Sequence, residues 1–122
     1  MQLHESAEMY LETIYRLSGE MPVVRSIDVA QSMGYSKPSV SRAISLLRKG
    51  GYVNMEAGGH LILTPEGLEI ARKVFERHQL ITKMLVSLGV DASVAADDAC
   101  RIEHVISDAS FDAIRKYYEQ KL

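Results

Sequence analysis

Apolar residues recur at helical spacing through most of this chain, broken at regular intervals by glycine and proline. Met9, Tyr10, Ile14 and Leu17 predict a helix over about residues 5–18, with Glu5 and Ser6 near its start and Gly19 as its stop. Beyond Pro22, a short helix is predicted from Ser26, a natural N-cap, to Met33, ended by Gly34. Pro38 opens a third helix, which runs through Val40, Ala43, Ile44 and Leu47 to Gly50-Gly51. The stretches Tyr52 to Met55 and Leu61 to Leu63 flank Ala57-Gly58-Gly59 and read as a β-hairpin. Pro65 begins a long helix reaching Leu88 and closed by Gly89, with a stripe of Leu68, Ala71, Phe75, His78, Ile81 and Leu85. Asp91 to Ser107 and Ser110 to Gln120 read as two further helices. There is no repeat, low-complexity tract or long linker. The fold class is therefore mainly α with a small β-hairpin: a helix, a helix-turn-helix, the hairpin, then three helices.

A helix-turn-helix needs a small residue where its helices cross, a tight turn, and apolar residues facing inward. Ala30 and Gly34 meet the first two needs, and Val40 with Val29, Met33, Tyr35 and Ala43 supplies the inward positions. Such a unit lays the N-terminus of its second helix against base edges in the major groove. The residues there are Ser36, Lys37, Pro38, Ser39, Ser41 and Arg42. Short hydroxyl side chains let the helix approach closely, its dipole favours phosphate, and Arg42 has the reach for a guanine edge. Arg25, Arg48 and Lys49 suit phosphate contacts, which position a protein without reading sequence. The glycine-tipped hairpin that follows makes the module a winged helix-turn-helix. His60 near its tip is a candidate for the minor groove, or simply a solvated histidine.

Charge sharpens this picture only when resolved along the chain, because the net value is −2. Residues 16–51 carry six basic side chains against two acidic ones, whereas residues 91–122 carry seven acidic against four basic. A DNA-facing half beside a half with another task is the natural reading. Hydrophobic residues at 47% and charged ones at 25% fit an ordinary globular protein. No apolar run approaches the roughly 18 residues of a membrane span, and the N-terminus lacks a secretory pattern. The lone Cys100 can form no internal disulfide, which points to a reducing, cytoplasmic setting.

The acidic half holds Cys100-Arg101-Ile102-Glu103-His104. On a helix, positions 100, 103 and 104 share one face and offer sulfur, oxygen and nitrogen donors to a transition metal. Met9 and Glu12 share a face in the same way, and His78 lies on an apolar stripe where a charged imidazole is costly. Taken singly, each has a plainer reading. Cys100 and Met9 suit a core, His78 suits a hydrogen-bonded core position, and Glu103-His104 suits solvent.

The segments Ala7 to Tyr15, Ser36 to Ser41, Leu63 to Gly67, Arg77-His78 and Ala99 to His104 together resemble the diphtheria-toxin-repressor family of metal-dependent transcriptional repressors, in the family's order and over nearly the whole chain. The resemblance implies a winged helix-turn-helix domain over 1–64 and a helical metal-binding and dimerisation domain over 65–122, linked by the long helix at 65–88. It implies a homodimer that reads a palindromic double-stranded operator, with divalent metal as corepressor; no membrane association is expected, from the lack of a long apolar run. Met9, Cys100, Glu103 and His104 match the primary site of the family's iron-sensing branch, and Glu12 and His78 fall at ligand positions of its manganese-sensing branch. Thr82 and Ala96 occupy positions where the iron branch completes an ancillary site, and the chain corresponds to the short form without an SH3-like domain. Sulfur from Met9 and Cys100 favours Fe(II) over Mn(II), with Co(II), Ni(II) or Zn(II) as substitutes. An ion held by the first helix and the 100–104 segment would fix the spacing of two recognition helices, which must meet half-sites about 34 Å apart. Beyond these ligands there is no nucleophile or general base in a recognisable spacing, so an enzyme is not expected. The alternative is a winged-helix regulator with a vestigial metal site that senses another signal, such as oxidation of Cys100.

Overall fold

A computed structural model describes residues 5–121. Its order is α1 (Glu5–Ser18), α2 (Ser26–Met33), α3 (Lys37–Lys49), β1 (Val53–Glu56), a single 3-10 turn, β2 (His60–Leu63), α4 (Pro65–Ser87), α5 (Ala92–Ile102) and α6 (Asp108–Lys121). The chain divides into two compact units, one ending at Arg72 and the other beginning at Lys73, so the boundary falls inside α4.

The first unit is the winged helix-turn-helix. Leu11 and Ile14 of α1, Val29 of α2, Val40 and Ile44 of α3, Val53 and Leu61 of the hairpin and Ala71 of α4 are fully buried in one core. Each large aliphatic side chain so buried contributes about 1.5–3 kcal/mol against the entropy of ordering the chain. α2 ends at Gly34, whose left-handed backbone (φ 72°) turns the chain into α3 and whose N–H bonds the Ala30 carbonyl. Tyr35, expected inside, is 47% exposed, with the Tyr10 ring 6.2 Å from its own. Ser26 is not the cap of α2; Arg25 is, because the Asp28 carboxylate accepts its backbone N–H at 2.8 Å. Ser36 caps α3, taking the Ser39 N–H at 3.3 Å. The strands pair antiparallel, Val53 opposite Leu63 and Glu56 opposite His60. Leu61 also donates its N–H to the Val24 carbonyl at 2.8 Å, which moors the wing to the segment before α2.

α4 starts on a built joint. The Thr64 hydroxyl donates to the Gly51 carbonyl at 2.7 Å and accepts the Gly67 N–H at 3.1 Å. Gly67 then packs directly on the Tyr52 carbonyl. The buried line of α4 is Gly67, Ala71, Val74, Arg77 and Ile81, and Leu68 is 44% exposed. The expected stripe is thus displaced at its start, and a charged residue stands in the buried line.

The second unit has a smaller core, with Ile81, Ala99 and Phe111 buried and Leu80, Met84, Leu85, Ile102 and Ile106 packed around them. Phe111 and Ile106 therefore belong to the fold of this unit, while Val94 and Val105 are 50% and 74% exposed. α5 is shorter than the pattern suggests. It stops at Ile102, and residues 103–107 turn before α6 begins at Asp108.

Candidate metal centre and nucleic-acid interface

Cys100 sits in the last turn of α5, and Glu103 is its C-cap, still in right-handed helical geometry (φ −59°, ψ −25°). The turn thus continues the helical sweep for one more residue, and the spacing of three and four still applies. The Cys100 Sγ, a Glu103 carboxylate oxygen and a His104 ring nitrogen all lie within 4.8 Å of one another. The Glu103 side chain is fully buried, with His78 Nδ1 at 2.9 Å from Oε2 and His104 Nε2 at 3.2 Å from Oε1. An ionised carboxylate only accepts hydrogen bonds, so His78 Nδ1 donates to Oε2, whereas the approach of His104 Nε2 to Oε1 is a charge contact without hydrogen-bond geometry. Burying such a charge is tolerable only with partners of this kind or with a cation.

The donor set fits a divalent transition metal. Donor atoms within 4.8 Å of one another are close enough to converge on one ion with bonds of about 2.0–2.3 Å. Thiolate, carboxylate and imidazole together suit Fe(II), Co(II), Ni(II) or Zn(II). Of the other sequence candidates, His78 lies on α4 beside Glu103, while Met9 and Glu12 lie half-buried on α1 in the first unit.

On the first unit, Ser36, Lys37, Pro38, Ser41 and Arg42 are exposed around the N-terminus of α3, and Ser39 is half-buried. The Ser36 hydroxyl donates to Ser39 Oγ at 2.9 Å, and the Arg42 guanidinium leans on the same oxygen at 3.5 Å. Arg48 and Lys49 close α3, and Arg48 also reaches the Met55 sulfur at 3.9 Å. These two residues, with Ser45, Val53, Asn54 and Met55, line an open cleft of about 490 Å³ between α3 and β1. His60 is half-buried at the start of β2. Arg25 is engaged within the protein: its Nε donates to the Gly58 carbonyl at the wing tip at 2.8 Å. No helix among the described residues is long and apolar enough to cross a membrane.

The roles of two residues of this region escaped the sequence reading. Arg77 is buried, and Asp108 receives both it and Lys73. Arg77 entered the sequence reading only as part of the matched pair Arg77-His78, without a role; the physical signal for one is its place on the inward line of α4, where a charge requires dedicated partners.

Two family models match the chain. The iron-dependent repressor N-terminal DNA-binding domain covers residues 2–61, and the iron-dependent repressor metal-binding and dimerisation domain covers residues 64–120. The transcriptional regulator MntR of Salmonella typhimurium is 34% identical over 116 residues, 95% of this chain and 74% of its own length. The diphtheria toxin repressor of Corynebacterium glutamicum is 36% identical over 107 residues, 87% of this chain and 47% of that protein. Among solved structures, a manganese-dependent transcriptional repressor in complex with manganese superposes with a TM-score of 0.83 at 28% identity, covering 91% of this chain and 51% of its own.

Proposed function

The chain belongs to the iron-dependent repressor family, and from that premise we propose that it is a homodimeric, metal-gated repressor of metal-homeostasis genes acting in the cytoplasm. The family is one of metal-dependent transcriptional repressors and not of enzymes. The observation that carries the reading is the convergence of Cys100, Glu103 and His104 on one point within 4.8 Å. His78, at 2.9 Å from Glu103, stands beside these three in the second unit, and Met9 and Glu12 of the first unit join the set on the resemblance. Bound metal supplies positive charge and coordination bonds there. The residues themselves supply a buried carboxylate held between two imidazoles and a thiol fixed on α5. Residues 1–64 form the DNA-reading domain, in which Ser36 to Arg42 meet bases and Arg48 and Lys49 meet phosphate. Residues 65–122 form the metal-binding and dimerisation domain. The exposure of Val94 and Val105, left outside the core of the second unit, supports a partner subunit that covers them.

Sulfur in the donor set favours Fe(II) over Mn(II), with Co(II), Ni(II) and Zn(II) as substitutes. A corepressor must favour the DNA-competent state by roughly 1–3 kcal/mol or more, which is about 5- to 150-fold in operator affinity. The test is selection of operators from random duplex DNA, followed by binding titrations with each metal and with chelator. A palindromic site bound at least tenfold more tightly with Fe(II) than with chelator is expected. Equal binding in both conditions refutes gating by metal. Cys100→Glu beside wild type tests the metal ranking, which should shift toward Mn(II).

A further inference from the structure

We propose that Arg77 is the positioning residue of the metal centre, holding the backbone of the ligand-bearing turn while its neighbour His78 holds a ligand side chain. The inference rests on the reading of Cys100, Glu103 and His104 as ligands.

Arg77 is 7% exposed, on the inward line of α4. Its Nη1 donates to the carbonyls of Glu103 at 3.2 Å and Ile106 at 2.8 Å, and its Nη2 to the Asp108 carboxylate. The guanidinium lies 5.3 Å from the centre of the Phe111 ring, with Arg115 at 5.0 Å from the same ring. Lys73 secures Asp108 from the side at 2.9 Å. Arg77 therefore lies between α6 and the turn that precedes it, and its bonds to the Glu103 and Ile106 carbonyls are what fix that turn.

That turn needs such a device. The last carbonyls of a helix have no partner within it, and a cation at a helix C-terminus is favoured by the dipole. Cys100 is set by α5 itself, but Glu103 and His104 lie beyond its end, so their place relative to Cys100 depends on how the chain turns. Arg77 binds the Glu103 carbonyl while His78, the next residue on α4, meets the Glu103 carboxylate. One dipeptide of α4 thus grips Glu103 by backbone and side chain together. A planar guanidinium can serve two carbonyls and a carboxylate at once, whereas an ammonium is a compact point charge. Arg77 acts through Glu103 and His104 and need not touch metal.

The test uses Co(II) with the full chain, reading affinity and the visible and thiolate-to-metal charge-transfer bands at saturation, with far-UV circular dichroism as the folding control. For Arg77→Met, affinity should fall at least tenfold and the bands should shift. Arg77→Lys keeps the charge and loses the fork; it should bind at least threefold more weakly with shifted bands. Asp108→Asn leaves both carbonyl bonds in place and should keep the wild-type spectrum. Wild-type affinity and spectrum in a folded Arg77→Met or in Arg77→Lys overturn the proposal, the latter by showing that charge alone suffices. A shifted spectrum in Asp108→Asn overturns it by placing the effect in the ion pair. If Arg77→Met does not fold, Arg77→Lys decides. Absence of Co(II) bands in the wild type refutes the metal reading itself.

Discussion

His78 Nδ1 meets Glu103 Oε2 at 2.9 Å across 25 residues of sequence, and the carboxylate so engaged is fully buried. Glu103 thereby joins α4 to the turn after α5 through Oε2, while His104 Nε2 stands 3.2 Å from its other oxygen within that turn. The His104 side chain is enclosed as fully as that of Glu103. Glu103→Gln keeps the volume, replaces one acceptor by a donor that faces an imidazole, and removes the charge that attracts a cation. Metal affinity should fall by at least about 10- to 100-fold, the loss seen when only the supports of a ligand are removed. Titration with Fe(II) or Co(II) by calorimetry measures it, and an unchanged affinity would remove Glu103 from the donor set.

Gly67 stands where any side chain collides with backbone. A Cβ there would lie 2.1 Å from the Tyr52 carbonyl oxygen, and no rotamer change relieves a clash between α4 and the chain entering β1. Gly67→Ala should destabilise the first unit by roughly 1–3 kcal/mol or more, as overpacking does. The thermal midpoint of the variant then falls by several degrees. A midpoint equal to the wild type would mean that α4 and Tyr52 separate at no cost.

The elements bounded by glycine and proline were legible in the sequence because those residues act locally: Gly34 and Gly89 both take positive φ, and Pro65 begins its helix. The end of α5 was not, since Ile102, Val105 and Ile106 continue a helical apolar spacing past the point where the backbone turns. The cap of α2 was misplaced by one residue because the side chain three positions beyond Arg25, that of Asp28, satisfies its N–H. At the candidate site, the convergence of Cys100, Glu103 and His104 was readable from spacing, and Glu103 keeps helical dihedrals just long enough to preserve it. The pairing of His78 with Glu103 is a tertiary fact that spacing does not hold. The role of Arg77 was missed because a charged residue is ordinarily a solvated one.

Asp108 links pH to the stability of the second unit. The hydrogen bond and charge of Lys73, with a further contribution from Arg77, hold its carboxyl below the usual carboxylate range. A carboxyl depressed on folding stabilises fully above its unfolded pKa of about 3.9, and that contribution fades as pH falls through the lower folded value. The thermal midpoint of Asp108→Asn should therefore lie below the wild type at pH 7 and converge with it as pH drops below about 4. A difference independent of pH would assign the effect of Asn to something other than lost charge.

Arg25 separates two ways of serving DNA. As a phosphate contact it would act by charge alone, and Arg25→Lys would preserve operator affinity and its salt dependence. The structure instead engages Arg25 Nε with the Gly58 carbonyl at 2.8 Å, tying the start of α2 to the tip of the wing. Lysine carries the charge but has no Nε at that place along the side chain, so the tether is lost while the net charge stays. Arg25→Lys should weaken operator binding several-fold and leave the slope of log affinity against log salt unchanged. Losing one phosphate contact would lower the magnitude of that slope by about 0.9. Titrations at several salt concentrations with wild type, Arg25→Lys and Arg25→Ala measure both quantities. If Arg25→Lys matches the wild type and only Arg25→Ala loses affinity and slope, Arg25 binds phosphate and the wing stands without it.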